Sequence, residues 1–263
     1  MLTDMVYNDF DFKIPVESED YAECSFDVTQ RIESIIEDAI QSNRNKIFIN
    51  TNLHLGLPME NINKIAGPFV EAWAYEIFYN EKQRFDGKYS LINVETRPRL
   101  HMADVILQFK KKRIVGNTVT AEVDVKATAE DIEGSGKSPN ITSFSRIRTA
   151  YIEDPDYIFI ILSLKHRVYS KRNEVSSLMD GVMEVVGHNA YDLKYVSKSD
   201  ISYNPALGTG QIQIRDIHYI NQERRTTWEF CQILDAKFLN SGRRDIIQWE
   251  TMAKRYGWIK EDV

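Results

Sequence analysis

The eight residues Tyr157-Ile-Phe-Ile-Ile-Leu-Ser-Leu164 contain a single side chain, Ser163, that is neither aliphatic nor aromatic. A run this short cannot cross a bilayer, and as a strand it points apolar groups at both faces, so both faces must be covered. This predicts the central strand of a sheet held between two layers. Three β-rich segments precede it, Ser90–Glu95, Ala103–Lys110 and Thr118–Ala127, and Val185–Val196 and Gln211–Ile220 follow. Helical spacing marks Phe26–Ser42 with Asp27 as N-cap, Met59–Tyr79 with a break at Gly67-Pro68, Thr226–Asn240 and Arg243–Tyr256, and a short strand fits Lys46–Asn50. The 263 residues contain no repeat or linker, which predicts one α/β domain over 1–263, a central mixed sheet flanked by helices.

Charge decides which partners fit. The chain carries a net −6, which argues against nucleic acid until its distribution is followed. Residues 1–38 hold eleven acids against Lys13 and Arg31, so the remainder is net positive, and 137–172 form a modest basic segment. Neither a leader nor a long apolar stretch is present, which predicts a cytoplasmic protein without a membrane partner. Cys24 and Cys231 lack metal or redox spacing and are expected to be buried free thiols.

The chemistry centres on TVTAEVDVKAT. Val119, Ala121, Val123 and Val125 alternate onto one strand face, so Glu122, Asp124 and Lys126 share the other. Asp104 opens the preceding strand, and a hairpin through Gly116-Asn117 would bring it beside Asp124. Two adjacent carboxylates repel unless a cation joins them, and hard oxygen ligands suit Mg²⁺. Such a metal would activate water and neutralise charge at a phosphate, with Lys126 orienting or deprotonating that water. The triplet Asp-x-Lys also occurs at Asp11–Lys13, Asp192–Lys194 and Asp235–Lys237. Asp192–Lys194 is the serious rival, because it too can lie on a strand.

With Ala103-Asp104 and Asp124-Val125-Lys126 in these places, the pattern resembles the PD-(D/E)XK nucleases. The strings INTNLHLGLPMENINKIAGP, DVKATAEDIEGSGKSPNITSFSRIRTAY and SDISYNPALGTGQIQIRDIHY are similar to the HpaI family of type II restriction endonucleases over nearly the whole chain, with a looser likeness to HincII. The resemblance implies an EcoRV-like fold, a homodimer on double-stranded DNA, and blunt cutting at a six-base palindrome, GTTAAC. It also implies a cognate DNA methyltransferase that protects the host without physical contact. The metal-holding positions become Asp104, Asp124 and Val125, and Glu71, on a helix before the sheet, is the supporting glutamate.

DNA reading falls to the segment after the catalytic strand. Its turn formers lead into Ser138, Asn140, Thr142 and Ser143, and then into Arg146 and Arg148, which are expected to grip phosphate. Asn140 is the leading base reader by likeness to HincII, since an amide matches adenine in the major groove; its ordinary alternative is a cap on a helix starting near Thr142. Tyr203 and Asn204 are second candidates by resemblance, and Gln211 and Gln213 share a strand face that would suit either DNA or solvent. His166 is left outside the catalytic set, and the four tryptophans read as packing. Two other functions fit the same residues: a structure-specific repair or recombination nuclease, and a DNA-binding module without chemistry.

Overall fold

The computed structural model describes residues 7–96, 101–111, 117–206 and 208–260. In chain order these form α1 (Tyr21–Gln41), β1 (Lys46–Ile49), α2 (Met59–Lys64), α3 (Ala66–Lys82), β2 (Leu91–Thr96), β3 (Val105–Lys110), β4 (Thr118–Ala129), β5 (Asn140–Ser143), α4 (Phe144–Glu153), β6 (Ile158–Arg172), β7 (Met179–Asp192), β8 (Ile201–Asn204), β9 (Gln211–Ile214), α5 (Thr227–Leu239) and α6 (Ile246–Arg255). The main sheet runs β1-β7-β6-β4-β3-β2, and a small sheet runs β5-β9-β8. Only β4 and β6 pair in parallel within the main sheet, so the sheet is mixed.

The apolar run does what its composition demands. Ile158 through Leu164 are all buried, with Ile160, Leu162 and Leu164 in a core shared with α1 and α3. Phe159 and Ile161 lie in a second core beneath α4, α5, α6 and the small sheet. Trp73 sits in the first core, Trp249 and Trp258 in the second, and Trp228 packs against it. Between the two cores, β4 and β6 are covered on both sides, which is why a charged group on β4 loses so much water.

Local signals located several ends well. Thr226 and Glu229 form a reciprocal cap on α5, and Asp245 and Gln248 do so on α6. Several boundaries moved, among them β7, which spans Met179–Asp192 where Val185–Val196 was expected, and β9, which ends at Ile214. α1 starts at Tyr21, well before Asp27, because the Tyr21 hydroxyl and Ser25 Oγ each donate to buried Asp192 at 2.7 Å and hold the extra turn down. The break between α2 and α3 falls at Ile65, ahead of Gly67-Pro68. Pro68 is accommodated in the first turn of α3, where its missing N–H would have had no helical acceptor.

The β3–β4 pairing is antiparallel, and the Lys111 N–H donates to the Asn117 carbonyl at 2.9 Å; Gly116 of the expected turn lies outside the described residues. Cys231 is buried, but Cys24 is only partly covered, so the expectation of two buried thiols fails at α1's outer face. Among the described residues, no helix is long and apolar enough to cross a membrane. The acidic N-terminal region is spent internally: Asp20 pairs with Lys111 at 2.7 Å, Asp27 with Arg31 at 2.5 Å and Asp38 with Lys88 at 2.5 Å.

Candidate active site

β4 brings the candidate residues together because of where it is paired. Its register sets Val123 against Val105 on β3, while Asp124 and Lys126 lie beside Ile161 and Ser163 on β6. Asp104, at the entry to β3, donates its N–H to the Val123 carbonyl at 3.0 Å and accepts the Val125 N–H on Oδ2 at 2.8 Å. Its carboxylate is thereby held across from Asp124. The Lys126 ammonium contacts Asp124 Oδ1 at 2.5 Å. Glu122, the third charge of this face, accepts the Tyr157 hydroxyl at 2.6 Å and is drawn toward the neighbouring groove.

The electrostatics follow from burial. Asp124 is only 3% exposed. That burial is the main reason its carboxyl is pushed up to about 7; Lys126 opposes the shift, and Asp104 and Glu71 reinforce it. Burial pulls Lys126 down, but Asp124, then Asp104 and Glu71, more than offset this and raise it. Glu71, on α3, is raised by burial first and by Asp104 second. Four residues separated by up to 55 positions thus feel one another in a single cluster. A cleft of about 590 Å³, lined by Glu71, Val125, Lys126, Asn63, Ser135 and His166 among others, opens beside them.

The donor set suits a hard divalent cation. Asp124 Oδ2 is buried without a hydrogen-bond partner, a place where a positive charge would be strongly favoured. No cluster of three or more His, Cys, Asp or Glu side chains arranged around one metal position is found among the described residues. Mg²⁺ needs no such cage, since one or two carboxylates suffice when water and phosphate complete its octahedron. Val125, whose side chain is fully buried, has only its backbone oxygen to offer.

One consequence is measurable without substrate. Asp124 ionises near 3.8 when unfolded but near 7 in the native state, so the native state holds the extra proton between those values. Stability contributed by this group is present below about 4 and declines as pH rises toward 7. With divalent ions chelated, Asp124→Asn is therefore expected to unfold at a higher temperature than the wild type at pH 7.5. The gap should open above pH 4 and stop growing past pH 7, by differential scanning calorimetry; equal midpoints at all pH values would contradict the assigned burial.

The rival triplets are structural. Asp192 accepts hydrogen bonds from Tyr21, Ser25 and the Lys194 backbone, and the Lys194 ammonium is fully buried against the Tyr21 ring and Thr227 Oγ1. This network ties α1 to β7 and α5, and the cleft of about 360 Å³ that Asp192 lines holds Glu33 of α1 but no second strand carboxylate among the described residues. Asp235, on α5, is the buried partner of Arg148, and Asp11 pairs with Lys260 at 2.8 Å. His166 is 2% exposed with Nε2 3.3 Å from Asn63 Oδ1, which removes it from any exposed phosphate-contacting surface.

The expected DNA-reading set divides. Ser138, Asn140 and Arg146 are exposed. Arg146 and Ser143 line an open groove of about 1080 Å³ together with His101, Glu122 and Gln211. Thr142 lines it too but is only 5% exposed, and the Ser143 hydroxyl meets Thr209 Oγ1 at 2.9 Å. Asn140 is not a helix cap: it lies on β5, and Ser143 immediately precedes α4.

Three of the expected DNA contacts have partners inside the protein. Arg148 cannot grip phosphate, because its side chain is fully buried, bonded to Asp235 at 3.2 Å and set over Trp228 and Trp258. Tyr203 turns its ring onto Phe144 and Phe238, and its hydroxyl donates to the Thr209 carbonyl at 2.8 Å. Gly210 has φ +86°, and a Cβ there would run into the Tyr203 ring, so this turn is built around the tyrosine. Asn204 uses Oδ1 to accept the Ala206 N–H at 3.0 Å, an ordinary turn role.

The basic segment is also quieter than its count suggested. Lys137 pairs with Asp216, Arg167 with Glu184 at 3.0 Å, and Lys165 lies over Tyr219. Sequence reasoning left out the flank at His101-Met102, next to Asp104, and undervalued Gln213. The alternation of Gln211 and Gln213 was the available signal, but the cross-strand neighbours it acquires were invisible.

The chain matches the family model for type II restriction endonuclease HpaI over residues 8–257. It is 58% identical over 257 residues to the type II restriction enzyme HpaI of Haemophilus parainfluenzae, an alignment covering 98% of this chain and 100% of that protein. Among solved structures, the NlaIV restriction endonuclease aligns with 87% of this chain and 90% of its own, at a TM-score of 0.46 and 13% identity.

Proposed function

This chain belongs to the HpaI family of type II restriction endonucleases, and from that membership we propose that it hydrolyses both strands of double-stranded DNA at the palindrome GTTAAC, leaving blunt ends. The observation that carries the chemistry is the grouping of half-buried Asp104 and Lys126 around buried Asp124, whose Oδ2 has no hydrogen-bond partner among the described residues. We assign it to a PD-(D/E)XK site. Asp104, Asp124 and the Val125 carbonyl are the proposed holders of Mg²⁺, and Glu71 supports the site from α3.

When bound, Mg²⁺ supplies polarisation of the scissile phosphate, acidification of the attacking water and charge neutralisation at the leaving oxygen. The chain's own residues do the rest. Asp104, fixed by the Val125 N–H, and Asp124, fixed by Lys126, hold their carboxylates without rearrangement at the moment of reaction. Lys126 presents its remaining N–H donors to the water and to the oxygens gaining charge. The apolar walls of β4 and β6 exclude bulk water and strengthen each of these interactions.

A palindrome calls for two-fold symmetry, so the proposed acting species is a homodimer, each copy reading a half-site and cutting one strand. Such an activity belongs in the cytoplasm with its DNA and requires a cognate methyltransferase to shield the host's copies of the site. Plasmid digestion with Mg²⁺, followed by sequencing of the ends, is expected to give discrete fragments with flush termini between T and A. A smear, or cutting confined to junctions, would replace this reading with a repair or recombination nuclease.

A further inference from the structure

We propose that Gln213 is a further specificity-determining residue: it orients the Asn140 amide, and the two side chains together present one donor and one acceptor to DNA. The inference rests on the reading of Asn140 as a base contact and names the residue through which that contact is set.

β5 and β9 pair antiparallel, with Asn140 opposite Gln213 and a register shift between Asn140 and Thr142. That irregularity swings Asn140 out to an exposed position at the strand's start. Gln213 Nε2 donates to the Ser138 carbonyl at 2.9 Å and to Asn140 Oδ1 at 3.0 Å. A primary amide nitrogen carries two hydrogens, so both are committed. Among the described residues, neither Asn140 Nδ2 nor Gln213 Oε1 has a hydrogen-bond partner. The Asn140 nitrogen is left as a donor, and the Gln213 oxygen beside it as an acceptor.

The mounting is rigid. Ser138 adopts φ +47°, its N–H donates to the Arg215 carbonyl at 3.1 Å, and Pro139 follows it. Ile217 N donates to the Gly136 carbonyl at 2.9 Å, while Lys137 bonds Asp216, so the tip is laced to the strand-β9 side at several points. Gln211, two residues earlier on β9, lines the groove that also holds Arg146. A fixed donor beside a fixed acceptor complements the N7 and N6 edge of adenine in the major groove. A lone asparagine on a loop could present either end; Gln213 removes that freedom.

The test uses the full-length protein in Ca²⁺. Binding is compared between a duplex carrying the wild type's own cleavage site and duplexes with each single base-pair change. Gln213→Ala is expected to reduce discrimination at one position by roughly 5- to 150-fold, the range of one lost bidentate contact. Asn140→Ala should do the same at the same position, and the double variant should be no worse than either single, because the donor and the acceptor serve one bidentate contact that either loss breaks.

Gln213→Glu cannot donate and should draw Asn140 Nδ2 inward, turning Oδ1 toward DNA and shifting which base pair is preferred there. Thermal midpoints and binding to an unrelated duplex should stay at wild-type values. Unchanged discrimination in Gln213→Ala, or losses that add in the double variant, would overturn the inference while leaving the nuclease reading standing. A wild type with no fixed site would overturn both.

Discussion

Asp124→Ala is expected to lower DNA cleavage by roughly three orders of magnitude or more, since it removes a buried group that organises charge where the phosphate reacts. Specific binding in Ca²⁺ should remain measurable, because the exposed DNA-facing candidates Ser138, Asn140 and Arg146 lie on the segment after β4 and draw their support from β9. The measurement is single-turnover cleavage beside a filter-binding titration of the same preparation. Lys126 gains freedom when its 2.5 Å partner is lost, so any residual rate should respond to a further Lys126→Ala change. Cutting at wild-type speed by Asp124→Ala would show that another carboxylate carries the reaction and would return attention to the other Asp-x-Lys segments.

Asp235→Ala is expected to lose about 3 to 5 kcal/mol of stability, the usual consequence of leaving one member of a buried pair charged and alone. Arg148 would then sit with no countercharge against Trp228 and Trp258, and the Tyr7 hydroxyl, which donates to Asp235 at 2.6 Å, would lose its acceptor. Urea denaturation reads the loss directly. Arg148→Met is the companion: it leaves Asp235 with Tyr7 and packs hydrocarbon into the same space, so it too should destabilise. Its folded fraction should nevertheless bind DNA with an unaltered salt slope. A residue that neutralised a phosphate would instead reduce that slope by about one. A reduced slope with normal stability would restore Arg148 to the DNA interface.

Much of the frame was legible because it depends on neighbours in sequence. Strand periodicity put Asp124 and Lys126 on one face, and the observed strand has that face. The apolar run at Ile158–Leu164 required covering on both sides and has it. Thr226 and Asp245 preceded their helices as side-chain caps. The short strands β5 and β8 escaped because their segments, NITS and ISYN, are too polar to stand out from a loop. Their existence depends on β9, which pairs with both.

Role was harder to read than geometry. Arg146 and Arg148 are two residues apart with the same chemistry, yet one is exposed and the other fully enclosed, since a two-residue step along α4 turns the side chain to the opposite side. Tyr203 had the composition of a reader but meets Phe144 and Phe238, which come from α4 and α5. Gln213 was an ordinary surface glutamine until β5 set Asn140 against it.

The amino-acid sequence by itself determined which side chains share a face and which strand must be central, because those follow from backbone periods acting over a few residues. Only the tertiary structure decided how the surroundings of the Asp-x-Lys segments differ. Asp192 and Lys194 are satisfied by Tyr21, Ser25, Glu17 and Thr227, residues up to 177 positions away, whereas Asp124 keeps an oxygen without a hydrogen-bond partner among the described residues. The physical reason is that the energy of a charge depends on its solvent and its countercharges, and both are supplied by distant parts of the chain.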